Sequence, residues 1–556
     1  MQEWNRIVQQ IVDEIDLCTN AKHSEAMTLS ILSRKFGYSQ PYTSRKFREV
    51  SGVKLQDYLR SRRMVFAAKE IRETNKGILE IAMDFGFSSN EAFTRAFRKA
   101  YGIPPSEYRK KPVSMVSLAQ IHPRRSNMKK ITAISIGFGG RASTYCHYAI
   151  QHPEELEIVA VADPNPARRQ LAQQRHNLAE NRLFSTWEEL AALPKMADFA
   201  IIGTQDNLHF APAMALIEKG YDLLLEKPMA PTPQECRTIT EAAERKGVRV
   251  VVCHVLRFNR MWKTIKRIID EGRLGRIISI VAMENVGHHH HANSYVRGPW
   301  RKAEDSSCMI MAKCCHDMDI LQWLIGKKCT QVQSFGGLSY FTRDNKPEGA
   351  PSYCIDGCPN AEICHYNAAK YYLEDPTAYE WLKRQLTLRF DPPATVDEFL
   401  HMDQYGRCVF DCDNDVVDHQ VVNMEFEGGI TASFTMNCFN EGGRYIRLFG
   451  TKGEIFADMQ SSSIRLYTFA DKMSRDVPVN IHEESILGGH GGGDQGIVRE
   501  LYDYLSGSYT GYRAADIDTS VKNHFIGFAA EKARHSDTVV DMDAFMKELG
   551  FDNTYC

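Results

Sequence analysis

No run of apolar residues in the 556-residue sequence approaches the roughly 20 that a membrane-spanning helix needs. The opening segment MQEWNRIVQQIVDEID lacks the basic, then uniformly apolar, pattern of a secretory signal; it is amphipathic and acidic. These absences lead to the expectation of a cytoplasmic protein, in which 15 cysteines are reduced thiols or metal ligands and not disulfides. Excess charge is also missing, with a formal net of only −2. What is present is an ordinary globular composition, 43% hydrophobic and 25% charged, in a chain too long for one core. Three or four domains are expected.

The near-neutral total hides an asymmetry. Residues 31–112 hold 18 Lys and Arg against 8 Asp and Glu, whereas residues 113–556 hold 48 against 57. A basic segment joined to an acidic body predicts a polyanion-binding module on an enzyme-like body.

The basic segment contains one plan twice. TLSILSRKFGYSQPYTSRKFREVSG predicts a helix, a turn at Phe36–Ser39, and a second helix ending near Gly52. GILEIAMDFGFSSNEAFTRAFRKAYGIPPSEYRK repeats it, with the turn at Phe85–Ser88 and the end near Gly102. Between them LQDYLRSRRMVFAAKEIRET is one amphipathic connector. Each unit is a helix-turn-helix whose second helix can enter a major groove. The residues expected to face DNA are Ser39, Gln40, Tyr42, Thr43, Arg45 and Lys46 in the first unit. In the second they are Ser89, Asn90, Glu91, Thr94 and Arg95. The duplicated motif resembles the AraC/XylS DNA-binding domain over about residues 25–110, which implies double-stranded DNA as a partner. Any sensor is expected downstream of it. The proline-containing stretch 113–127 reads as a linker.

ITAISIGFGGRA follows, a buried strand running into a glycine turn in which Gly137, Gly139 and Ala142 fit G-x-G-x-x-[GA]. Small residues there let backbone approach a pyrophosphate at a helix N-terminus. A second strand ends at Asp163, 24 residues beyond Gly139, where a carboxylate can accept hydrogen bonds from ribose hydroxyls and favours NAD. Arg168 and Arg169 nearby would suit the 2′-phosphate of NADP. Further strands at ADFAIIGT, YDLLLEKPMA and VRVVVCHVLRF alternate with helices and predict a doubly wound sheet.

LLLEKPMA, with GRLGRIISI, HDMDILQWLIG and LFGTKGEIFAD, resembles the Gfo/Idh/MocA oxidoreductases over about residues 128–550. The resemblance implies that Lys227 contacts the substrate hydroxyl, that Pro228 shapes the turn beside the nicotinamide and that Glu226 orients it. The implied cofactor set is Gly137, Phe138, Gly139, Arg141, Ala142, Asp163, Glu226, Lys227 and Pro228. The family commonly shows Asp-x-x-x-His followed three residues on by Asp. Here His316 and Asp319 match, and the first position is Ala312; Lys313 or Asp317 would take over its role. Lys227, His316 and Asp319 are the expected catalytic residues, with His316 as general base.

Dense His, Asp, Arg and aromatic groups suit a polyhydroxylated ring. The expected substrate-binding residues are Arg257, His289, His291, Tyr295, Arg297, Trp300, Lys313, Asp317, Asp418, His419 and His490. Cys354, Cys358, Cys364, Cys408 and Cys412 offer thiols for a structural zinc, at spacings other than C-x2-C.

The expected architecture is multidomain. An all-α double helix-turn-helix domain (1–112) and the linker lead to an α/β Rossmann domain (128–255). An α/β domain with a largely antiparallel sheet and a Cys-containing insert (256–556) closes the chain. The expected function is NAD-dependent oxidation of a hydroxyl on a sugar, cyclitol or glycoside, fused to sequence-specific DNA binding. Alternatives are a transcription regulator whose oxidoreductase-like domain senses a sugar or NAD(H), and an NAD-dependent glycosidase working by transient oxidation. The resemblance also implies a homodimer or homotetramer.

Overall fold

A computed structural model describes residues 29–51, 53–74, 76–87, 89–101, 103–110, 130–376, 395–461, 463–479, 492–506 and 517–551. It also describes Trp4, Ile7, Val8, Ile11, Val12, Ile15 and Ala378. Gly52, Ser88, Gly102, the linker 113–127 and His490 lie outside the described residues. The chain divides into two compact units, one holding residues 1–128 and the other most of 129–556.

In the first unit the duplication is visible in backbone detail. Helix Leu29–Lys35 turns through Gly37 (φ +76°) into helix Gln40–Ser51. Helix Ile78–Asp84 turns through Gly86 (φ +74°) into helix Asn90–Tyr101. Both turns close with the same bond pattern, Tyr38 N–H to Ser33 O and Phe87 N–H to Ala82 O, each at 2.9 Å. Helix Leu55–Glu73 supplies both cores: Leu55, Tyr58 and Leu59 pack with Leu32 and Phe47, while Met64, Ala67, Ala68 and Ile71 pack with Ile81, Phe93 and Phe97. Trp4, Ile7, Val8, Ile11, Val12 and Ile15 join the first of these cores at helical spacing, so the acidic opening segment is structural.

The second unit begins with six parallel strands in the order β3-β2-β1-β4-β5-β6. They are β1 (Ile131–Ile136), β2 (Leu156–Ala162), β3 (Leu183–Phe184), β4 (Phe199–Ile202), β5 (Asp222–Leu225) and β6 (Val250–Val252). The chain reverses its direction of winding between β1 and β4, so their carboxyl ends open a crevice. Next comes a nine-stranded sheet of β7 (Ile277–Asn285), β8 (Cys329–Gly337), β9 (His419–Phe426), β10 (Ile430–Asn437), β11 (Gly443–Gly450), β12 (Gly453–Asp458), β13 (Ser463–Thr468), β14 (Met473–Pro478) and β15 (Val540–Asp541). Its order is β14-β13-β12-β11-β7-β10-β9-β8-β15. β7 and β10 run parallel, and the neighbouring pairs β10–β9, β11–β7, β11–β12 and β8–β9 are antiparallel. Helices Cys315–Ile325 and Ile517–Ser536 cross between the two sheets and bring His316 and His524 to the crevice region.

Candidate active site

The glycine turn after β1 has the shape its residues require. Gly137 sits at φ +84°, and a Cβ there would meet the Gly203 carbonyl at 2.8 Å. A Cβ on Gly203 would in turn meet that of Ala142 at 2.9 Å. A Cβ on Gly140 would meet nothing within 4 Å, so the turn is an open cradle at the positive end of the 12-residue helix Gly140–Gln151. That cradle fits a pyrophosphate. The Asp163 carboxylate is buried and accepts from Phe138 N–H (2.7 Å) and Asn165 N–H (2.9 Å). It braces the glycine loop from within. Arg168 lies 3.7 Å from the same carboxylate and against Gly139.

The Glu226–Lys227–Pro228 turn lies at the carboxyl end of β5. Arg141 donates to Glu226 (2.7 Å) and to Asp494 (2.7 Å), and Tyr145 donates to Glu226 (2.6 Å). Burial alone would raise the Glu226 pKa; Arg141 and Lys227 beside it hold it below its usual value. The other Glu226 oxygen accepts from Lys227 N–H at 2.6 Å. Arg141 is therefore a brace between the phosphate loop and this turn. His209 Nδ1–H donates to the Pro228 carbonyl at 2.7 Å.

The Lys227 ammonium reaches across to the Ala312 carbonyl at 2.6 Å. His316, buried, lies four residues further on, in the first turn of the next helix, Cys315–Ile325. A backbone carbonyl thus receives Lys227 at the residue where the family commonly carries a carboxylate. The two candidates for that missing acid are engaged elsewhere. Asp317 pairs with Arg444 at 2.8 Å, and Lys313 pairs with Glu284 at 3.2 Å, which Arg444 also contacts at 2.6 Å. Arg444 carried no sequence signal: it lies near the start of a strand after a glycine pair and meets Glu284 only because β11 pairs beside β7.

Several expected site residues are buried and engaged with protein partners. Asp319, completely buried, is gripped by Arg257 through two bonds (2.7 and 2.6 Å) and by Asn523. It holds the helix of His316 in place, and Arg257 is its counter-ion. Arg297 is buried and donates to the carbonyls of Arg407 and Tyr366, both at 2.7 Å. Asp418 is buried and clamps the Ser339 and Tyr340 amides and His419 Nδ1. His291 and Tyr295 are buried and stack on each other, with ring centroids 5.6 Å apart. Trp300 Nε1–H donates to Asp206, beyond the end of β4. His289 keeps a partly open position, stacked on Tyr371 at 4.4 Å. Among the described residues no three of the five cysteine thiols converge on one point. Among the described residues, one group of three ligand-type side chains converges, His152, Glu154 and Glu155, and it holds no thiol. Cys354 instead faces the Arg297 guanidinium at 3.6 Å, a neighbour that opposes a bound cation.

In the helix-turn-helix unit, Ser39, Gln40, Arg45, Asn90, Glu91 and Arg95 are exposed or partly so on the second helices, with Tyr42, Lys46 and Thr94 half-buried. Thr43 is buried and bonds back to the Ser39 carbonyl, so it does not face DNA. Ser89 caps its helix by accepting from Ala92 N–H. Tyr42 packs on Trp4 with ring centroids 5.4 Å apart.

Fold and site together define an oxidoreductase with a dinucleotide-binding domain, preceded by a helix-turn-helix domain. The chain belongs to the Gfo/Idh/MocA family and carries an AraC-type DNA-binding domain. Residues 131–254 match the family model for an NAD-binding Rossmann fold, and 266–516 match its C-terminal alpha/beta domain. Residues 32–111 match a helix-turn-helix domain model. The chain is similar to YteT of Bacillus subtilis (strain 168), named as an oxidoreductase, with 25% identity covering 64% of this chain and 86% of that protein. It is similar to the regulatory protein SoxS of Escherichia coli (strain K12), with 37% identity covering 18% of this chain and 94% of that one. Among solved structures, a levoglucosan dehydrogenase in complex with NADH shares the fold at TM-score 0.54 and 16% identity, covering 74% of this chain and 99% of that one. An aldose-aldose oxidoreductase from Caulobacter crescentus shares it at 0.52 and 14%, covering 74% and all of that chain. Among the described residues no helix is long and apolar enough to cross a membrane.

Proposed function

We propose that the chain is an NAD-dependent oxidoreductase acting on a hydroxyl of a sugar, cyclitol or glycoside, and that its N-terminal domain binds double-stranded DNA. The observation that carries the redox reading is the meeting of Lys227 with the Ala312 carbonyl, four residues before His316, beside an open glycine cradle. His316 takes the hydroxyl proton, and Lys227 stabilises the negative charge developing on oxygen. Bound NAD supplies the hydride acceptor. The neighbouring solved structures named for levoglucosan and aldose support a carbohydrate substrate. Asp163 at the end of β2 supports NAD over NADP. Domain boundaries at residues 112, 127 and 255 belong to the same reading. So does a self-paired oligomer, which exposed Val281 and Phe456 on the open face of the nine-stranded sheet support.

The test is NADH formation, followed at 340 nm, with a panel of sugars, cyclitols and glycosides. Lys227→Met and His316→Ala are expected each to lower turnover by about a hundredfold or more while the fold survives. Wild-type turnover in both would overturn the assignment.

A second reading is a transcription regulator that senses a sugar or NAD(H). The pairing of Asp317 and Lys313 away from the Ala312 position favours it, because it leaves that position without a carboxylate. It requires ligand to change operator affinity; unchanged affinity removes it.

A further inference from the structure

Two adjacent residues of helix Ile517–Ser536 bond the two segments that carry the proposed catalytic groups. Asn523 donates to Asp319, which lies three residues after His316 on the same helix face. His524 faces the other group: its Nε2 accepts from Met229 N–H at 2.9 Å, two residues after Lys227. Its Nδ1 lies 2.7 Å from the Ser520 carbonyl, to which it must donate. These two bonds fix one tautomer, neutral and protonated on Nδ1. Protonating Nε2 would set two donors against each other. Burial, with His254 alongside, pushes the His524 pKa down to about 3, so the acceptor state persists at neutral pH. Both residues are buried and stand nearly 300 residues beyond the turn that His524 holds. The lysine turn is thus held by Glu226 at the Lys227 amide and by His524 at the Met229 amide.

We propose that His524, with Asn523, is a positioning residue that sets the spacing between Lys227 and His316. The inference rests on the redox reading for the roles of those two groups, and not for the existence of the clamp. Helix Ile517–Ser536 acts as a rigid bar, gripping the lysine turn at one residue and the histidine helix at the next.

The experiment uses the full chain and the variants His524→Leu and His524→Gln; glutamine retains a carbonyl acceptor. Lys227 acylation by an amine-reactive reagent is read by mass spectrometry, with surface Lys130 as the internal control. His524→Leu is expected to change Lys227 labelling about tenfold, the scale of one lost hydrogen bond, and His524→Gln to restore much of it. With a substrate found in the sugar panel, kcat is expected to fall about a hundredfold in His524→Leu, while KM and the NADH dissociation constant stay within about twofold. A folded His524→Leu with wild-type labelling at Lys227 overturns the proposal. If the leucine variant does not fold, hydrogen exchange of the Met229 amide in the wild type decides: slow exchange is expected, and fast exchange overturns the clamp. A wild type that oxidises nothing in the panel defeats the redox reading alone, because labelling and exchange still report on the clamp.

Discussion

At the scale of single residues, the site separates groups that act from groups that hold. Lys227 and His316 keep positions from which they can meet a substrate. Asp319, matched to the same motif as His316, and Arg257, expected to bind substrate, neutralise each other in complete burial. Asp319→Asn is expected to destabilise the protein by about 3–5 kcal/mol, since it leaves Arg257 as a buried charge without its carboxylate. Urea unfolding checks this; an unchanged midpoint with lost activity would return Asp319 to the chemistry. Arg297 shows the same reversal. Its neighbours Tyr295 and Trp300 suggest a binding loop, but its donors go to backbone carbonyls of the insert. Sequence shows that an arginine is present; only packing shows which oxygen it meets.

At the scale of elements, the glycine turn is the most constrained feature. Gly137→Ala would force a side chain into a left-handed φ of +84° and a 2.8 Å approach to the Gly203 carbonyl. NADH binding is expected to weaken by about tenfold or more, read by fluorescence titration, because roughly 1–2 kcal/mol of backbone cost falls on the loop that cradles the phosphates. The strands Ile131–Ile136 and Leu156–Ala162 and the repeated helix-turn-helix were legible because hydrophobic runs and glycine turns are local signals. The N-terminal segment was legible as amphipathic, but not as part of the first helix-turn-helix core, since its partners Leu32 and Phe47 lie further along the chain than one helical period reaches. The surroundings of the cysteines also became visible only at this scale. Cysteine spacing says nothing about an arginine from another loop entering among the thiols.

At the scale of the whole molecule, buried histidines tie stability to pH. Burial pushes His524 down to about 3 and His291 down to about 4, so both are neutral in the fold. The unfolded chain binds protons at these residues near pH 6.5. Their contribution is complete above that pH and is lost as pH falls from about 6.5 toward 4 and then 3. Each costs up to about 1.4 kcal/mol per pH unit in that window. Thermal unfolding is expected at a lower temperature at about pH 5.5 than at about pH 7.5, with a smaller difference in His524→Gln. Equal transition temperatures at the two pH values would show that these rings are not neutral when buried.

The sequence by itself determined the order of domains, the glycine cradle, the lysine turn and the histidine helix. Each is written in contiguous residues whose spacing obeys the period of one strand, turn or helix. Tertiary structure alone decided which acids are already paired, what holds Lys227 against Ala312, and that Asn523 and His524 stand beneath both groups. Those contacts join residues up to 295 positions apart, and no local period encodes where two distant segments will cross.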